Sequence, residues 1–329
     1  MTELSRRRLL ADFGAVPLAA LFTSEAARAQ PSYPNRPIRL IIPFGAGGIA
    51  DITSRLVAEK LGDKLGQRIV IENQPGAGGV AAARSVLAST PDGYTLALLT
   101  NGTAISVPLF KSLPFDPLTD FVPVSSFAFF DFIFAVNAAS EYRTLQDVVG
   151  AARNKPGSLN VGTINVGSSQ NLSAELFKSA AGINFAIVPY RSTPEVLVAL
   201  LRDDVHVVID SYAALRAALT DKQIRAIAAS GPTRVANLPE VPTVKEAGVS
   251  GFEVTSWNGL FASAKTAPEI VATLNAALQD VLAAPDLKQR FLELGVEAKA
   301  SSPQQLSARL RADVAKWSDV IAHAGIPRQ

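Results

Sequence analysis

With 329 residues the chain has room for two domains of ordinary size, since one domain takes roughly 100–200 residues. Hydrophobic residues make up 48% and charged residues 18%, a balance that builds a buried core and excludes a disordered chain. The net charge of +2, from 31 basic and 29 acidic residues without a basic cluster among aromatics, excludes nucleic acid as a partner. There is no cysteine, hence no thiol nucleophile, thiolate metal site or disulfide. The two histidines, His206 and His323, are too few for a His-based metal cluster and read as local structural residues.

Residues 1–29 have the make-up of a removable export signal. Arg6, Arg7 and Arg8 precede an apolar stretch over residues 9–22, broken by Asp12, and Ala27-Arg28-Ala29 offers a cleavage site before Gln30. Ser5-Arg6-Arg7-Arg8-Leu9-Leu10 is close to a twin-arginine signal, with an ordinary secretory signal as the alternative. No later run approaches the ~18 uninterrupted apolar residues of a membrane span, so the mature chain is expected to be soluble and periplasmic.

The first strand is expected over residues 38–42, a β-branched run ended by Pro43 and a glycine-rich loop. Apolar residues at 52, 56, 57, 61 and 65 predict a helix over 51–65. A strand over 68–72, a helix over 80–88 and a strand over 95–99 come next, giving β-α-β-α-β with short loops, the pattern of a parallel sheet covered by helices. The alternation resumes with a helix over 145–154, strands near 159–163, 186–188, 206–209 and 225–229, and helices over 171–181 and 194–201. A strand over 254–262 precedes three C-terminal helices, over 268–283, 286–294 and 303–323.

Two loops carry the chemistry. Phe44-Gly45-Ala46-Gly47-Gly48-Ile49-Ala50-Asp51 lies between a strand and a helix, where glycines let the backbone approach a ligand and the helix N-terminus offers free N–H groups. Gly167-Ser168-Ser169-Gln170-Asn171 repeats the arrangement with hydroxyls and an amide as further donors. Facing each other, the two loops would hold a small anion without a cationic side chain. Gly45, Gly47 and Ala50 also fit a dinucleotide fingerprint, with Glu72 as its acidic residue, 27 positions after Gly45 against an expected ~20. An exported NAD(P)-dependent enzyme is therefore the alternative reading.

Asp51 either contacts the ligand or satisfies the first turn of its helix, and Asp210 either lines the cleft or caps the segment after it. Tyr190 and Trp257 either stack on a solute or pack in the core. Residues 75–79 read as a structural turn. No pair of carboxylates and no serine with a base stands out, so nothing points to catalysis, and no cofactor or metal is called for.

Tyr33-Pro34-Asn35-Arg36-Pro37-Ile38-Arg39 and Pro43-Phe44-Gly45-Ala46-Gly47-Gly48 with Asp51 resemble the opening of the Bug-type (TctC-like) receptors, the solute-binding proteins of tripartite tricarboxylate transporters. The resemblance continues through Glu72-Asn73-Gln74-Pro75-Gly76-Ala77-Gly78-Gly79, Pro91-Asp92-Gly93-Tyr94-Thr95-Leu96 and Leu113-Pro114-Phe115-Asp116-Pro117. It reappears in Asp120-Phe121-Val122-Pro123-Val124, Leu238-Pro239-Glu240-Val241-Pro242-Thr243-Val244 and Glu246-Ala247-Gly248.

That resemblance implies an α/β, periplasmic-binding-protein-like Venus flytrap, with two α/β domains, parallel-rich sheets and an interdomain cleft. It places the crossings near residues 132–136 and 254–257, so that 30–133 with 257–329 form the first domain and 134–256 the second. It implies that Phe44, Gly45, Ala46, Gly47, Gly48, Ile49 and Asp51 grip a carboxylate mainly through backbone groups. Gly167, Ser168, Ser169 and Asn171 close from the other side, and Asn101 and Thr103 border the pocket; Tyr190 and Asp210 join the candidate site from the reading of the residues above, not from the resemblance. The expected partners are a small organic acid and the membrane subunits of such a transporter, with the receptor itself a monomer. The family's usual His-Leu-Ala-Gly-Glu-Leu is replaced by Asn171-Leu172-Ser173-Ala174-Glu175-Leu176, its Tyr-Lys-Gly by Tyr190-Arg191-Ser192, its Thr-His by Thr103-Ala104 and its Gly-Gly by Asp203-Asp204. These changes lie on the pocket side, so the usual solute preference does not carry over.

Overall fold

The computed structural model describes residues 33–323 and 325–329; the expected export signal at 1–29 lies outside them. Strand β1 (Ile38–Ile42) is buried along nearly its whole length and sits between β2 (Ile69–Asn73) and β3 (Thr95–Thr100), all parallel, as an apolar run covered on both faces should. Helix α1 (Ile49–Leu65) buries Ile49, Thr53, Val57 and Leu61 on one stripe, and Gly66, left-handed at φ 68°, ends it. A 3-10 turn, Ala77–Gly79, leads into α2 (Val80–Leu87). Helix α3 (Asn101–Leu109) starts directly from β3 and was not expected from the sequence. Thr100 Oγ1 accepts the Gly102 N–H at 3.0 Å, and Thr103 Oγ1 accepts the Thr100 N–H at 3.2 Å, a cap that converts Asn-Gly-Thr from a turn into a helix start.

The second set of layers holds α4 (Leu145–Asn154), β5 (Asn160–Ile164), α5 (Ser169–Ala181), β6 (Ala186–Tyr190), α6 (Thr193–Leu201), β7 (Val207–Ser211), α7 (Tyr212–Thr220) and β8 (Ile224–Ala229). Here β7-β5-β6 are parallel. Strand β9 (Thr255–Ser263), helices α8 (Pro268–Ala283) and α9 (Pro285–Glu293), the short β10 (Val296–Glu297) and α10 (Pro303–His323) complete the chain.

Strand β4 (Phe121–Asn137) joins the two parallel sets and is the feature that the sequence reading most underestimated. Through Asp131 it pairs antiparallel with β9, and from Phe132 onward with β7 and β8, giving the order β2-β1-β3-β9-β4-β7-β5-β6. Both tryptophans are core residues. Trp257 donates to Asp313 Oδ2 at 2.6 Å and Trp317 to Asn101 Oδ1 at 2.8 Å, so Trp257 packs rather than stacking on a solute. His206 Nδ1 accepts the Asn160 N–H at 2.9 Å, the local role expected of it.

Where β4 changes partners, Ser230 ties three chain segments together. Its N–H donates to Phe132 O and its hydroxyl to Val254 O, while its Oγ accepts the Phe132 N–H and its carbonyl the Val254 N–H, all at 2.6–2.9 Å. Beside this node the Asp131 carboxylate packs against the Cα of Gly231, where no Cβ would fit. Burial, with a smaller contribution from Glu253, raises Asp131 to about 6 from the ordinary 3.8. A carboxyl raised in the folded state favours folding while protonated. Its contribution, about 3 kcal/mol, is full below the ordinary value and is lost as pH rises through 6. Asp131→Asn should therefore stabilise the protein at pH 8 and lose that advantage by pH 4; a pH-independent difference in urea midpoints would refute this.

Candidate functional site

Four helices begin at one junction. Helix α1 starts at Gly48, whose extended backbone (φ −85°, ψ 173°) carries no capping side chain, and the first helical bond is Ile52 N–H to Gly48 O at 2.9 Å. The amides of Ile49, Ala50 and Asp51 thus have no partner within the helix. The same small, partly open space, about 20 Å³, is lined by Thr100 at the start of α3, Gln170 in the first turn of α5, and Ser192 and Thr193 at the start of α6. Phe44, Ile49, Phe130 and Ile164 supply its apolar wall, and Ser256 and Asn258 its remaining polar groups; none of the lining residues is charged. Converging N-termini make a positive field from backbone dipoles alone, which suits an anion.

The α1 loop is held in shape from behind. Asp51 accepts the Gly47 N–H at 3.1 Å, Asn73 Nδ2 at 3.0 Å and Arg55 Nε at 3.0 Å, while Asn73 also donates to Phe44 O at 3.1 Å. Burial opposes the charge on Asp51, but Arg55, the Gly47 amide and Asn73 outweigh it and hold the carboxyl below its usual value. Its carboxylate therefore faces the loop and Arg55.

The expected loops meet across the junction. A Cβ on Gly45 would lie 2.7 Å from both the Arg191 carbonyl and Ser192 Cβ, and one on Gly102 would lie 3.1 Å from Gly167 O. Asn165 Nδ2 donates to Pro43 O at 3.3 Å and the Gly78 N–H to Val166 O at 3.2 Å. Thr103, Gly167 and Ser168 line a second small space with Phe44. Ser168 caps α5, accepting the Asn171 N–H at 3.1 Å; Asn171 holds Gly167 N–H and Thr163; Ser169 shares a hydrogen bond with Ser256 at 3.2 Å. Asn101 is occupied by Trp317 and reaches Ser169 Oγ at 3.4 Å.

Other expected residues sit further off. Ala46 and Gly47 are exposed, and Tyr190 packs against the apolar cluster of the second sheet. Asp210 is 1% exposed and stands behind the wall rather than in it, accepting from Thr193, Gln170 and the Ser211 N–H. Glu72, the acidic residue of the dinucleotide fingerprint, is held by Arg39 through two bonds of 2.6 and 2.8 Å. The sequence reading missed Thr100, Phe130, Ile164, Ser192, Thr193, Ser256 and Asn258. Only Ser192-Thr193-Pro194-Glu195 carried a visible signal, a helix start with proline in its first turn.

Residues 53–326 match the tripartite tricarboxylate transporter family receptor, TctC. The chain belongs to this family. Three solved structures show that this TctC member has the α/β fold of the periplasmic binding proteins. The periplasmic binding protein BugD superposes with a TM-score of 0.86 at 28% identity, covering 90% of this chain and all of its own. R. palustris Rpa4515, solved with adipate, gives 0.86 at 34% identity over 90% of this chain and 99% of its own. MatC from Rhodopseudomonas palustris, solved with bound malate, gives 0.84 at 31% identity over 88% and 100%. Among the described residues no helix is long and apolar enough to cross a membrane.

If Asp51 braces the TctC loop, Asp51→Ala should cost about 1–3 kcal/mol of unfolding free energy at pH 7, because the Gly47 and Asn73 donors lose their acceptor. Since the Asp51 pKa is depressed, the gap between wild type and variant should narrow as pH falls below the ordinary 3.8. Equal urea midpoints at pH 7 would contradict the brace.

Proposed function

We propose that the protein is an extracytoplasmic receptor that captures a small carboxylate-bearing solute between two lobes, for tripartite tricarboxylate-type uptake or for sensing. The observation that carries this reading is the convergence of the α1, α3, α5 and α6 N-termini on one uncharged space. Adipate in Rpa4515 and malate in MatC support the carboxylate class. In this reading the lobes are 30–133 with 257–329 and 134–256, and residues 1–29 direct export. The loaded, monomeric receptor is read by membrane subunits, and no reaction is catalysed. A carboxylate takes charge-assisted bonds from the α1 amides, and the uncharged walls select the rest of the solute.

Because a ligand that binds only the native state stabilises it by about 2.7 kcal/mol at 100 times its dissociation constant, a thermal-shift screen tests the proposal directly. The panel holds mono-, di- and tricarboxylates, aromatic acids, acidic amino acids and NAD(P). A clear shift with one carboxylate class is expected. A shift with NAD(P) alone would overturn the receptor reading in favour of a dinucleotide enzyme.

A further inference from the structure

We propose that the cleft selects carboxylates bearing a hydrogen-bond donor, a hydroxyl or an ammonium, close to the carboxyl group, and that Asp210 sets this preference through Thr193. The inference rests on the receptor reading above and names the solute class within it.

A threonine hydroxyl has one proton to give. Thr193 Oγ1–H donates to Asp210 Oδ2 at 2.6 Å, away from the space that Thr193 lines. Thr193 is 3% exposed, and its Oγ1 lies 3.1 Å from where a Cβ on Gly48 would stand, directly over the start of α1. Ser192, the other α6 hydroxyl on that wall, gives its proton to Glu195 Oε1 at 3.1 Å. The two α6 hydroxyls therefore turn lone pairs to the cleft, beside the amide N–H groups at the starts of α1 and α6. A plain carboxylate answers the amides and sets its other groups against unanswered acceptors. An acid with a neighbouring hydroxyl or ammonium answers both, and a site built around such a bond rejects the analogue lacking it.

Asp210 is the positioning residue because it fixes the direction of the Thr193 bond. Its Oδ1 accepts the Ser211 N–H at 2.7 Å and Gln170 Nε2 at 3.3 Å, so Oδ2 is left for Thr193. The groups that meet it from α5, α6 and its own strand are Gln170, Thr193 and Ser211, none of them charged, and β4 brings Ile133 opposite it. Burial raises its pKa, and only the ionised form is restricted to accepting, so the pairs are compared at pH 8 and again at pH 6; a preference that depends on ionised Asp210 should not be weaker at the higher pH.

The test is titration calorimetry of the mature chain at pH 8 and again at pH 6 with three matched pairs: malate and succinate, lactate and propionate, 2-hydroxyadipate and adipate. In every pair that binds, the hydroxylated acid should bind ~10-fold tighter or more, which is ~1.4 kcal/mol. Asp210→Asn keeps an oxygen for Ser211 and Gln170 but places an N–H toward Thr193. The Thr193 proton then turns to the cleft, and the preference should vanish or reverse. Thr193→Val, which needs no such rearrangement, should abolish the preference, read as the ratio of the two affinities within each pair. A merely structural Asp210 would weaken both members of a pair alike. Equal affinities within the pairs for wild type overturn this inference alone; binding of no carboxylate overturns the receptor reading and this inference with it.

Discussion

A carboxylate leaves water only where something replaces its hydration, and in this protein the replacement is backbone. The α1 N-terminus has no capping side chain, so its first amides have no partner within the helix, and three further helices begin beside the same space. The rest of the site depends on this arrangement. Glycine is required at position 45 because the opposite wall approaches too closely for a side chain, and a Cβ at position 48 would sit tightly against Thr193 Oγ1, at 3.1 Å. The loop keeps its shape because Asp51 and Asn73 absorb the donors and acceptor that the turn leaves over. Amides fixed by a fold need no reorganisation when an anion arrives, unlike a flexible lysine.

The two walls of the site belong to different parallel sheets, and β4 is the physical link between them. A single strand that exchanges β9 for β7 and β8 transmits any relative movement of the sheets through its midpoint. Ser230 holds that point with four hydrogen bonds to two neighbouring segments, so bending there need not break either sheet. The half-buried Asp131 carboxylate beside it is a cost in stability that core packing elsewhere offsets.

Much of this was legible in the sequence for local reasons. A β-branched run followed by a glycine cluster and an amphipathic stretch announces strand, loop and helix, so β1, the Phe44–Asp51 loop and α1 were readable. Helix α3 was not, because Asn101-Gly102-Thr103 has turn chemistry and only the Thr100 cap, a contact across three residues, makes it helical. The length of β4 was hidden too: nothing in Asp131-Phe132 marks a change of partners, since the partners lie some 80 and 125 residues downstream. Within the site, glycines and serines signalled themselves by composition. Thr193 showed only as part of a helix start and Gln170 only as part of a loop, because their contacts with Asp210, 17 and 40 positions away in the chain, have no local signature.

Where the solute's charge is held decides whether backbone amides alone bind it. A crystal structure of the mature protein with a bound carboxylate measures this directly. It should show carboxylate oxygens within ~3 Å of the amide nitrogens at the start of α1, directly or through one ordered water, with no Lys, Arg or His in contact. A carboxylate held by a cationic side chain, or seated away from the α1 N-terminus, would contradict it.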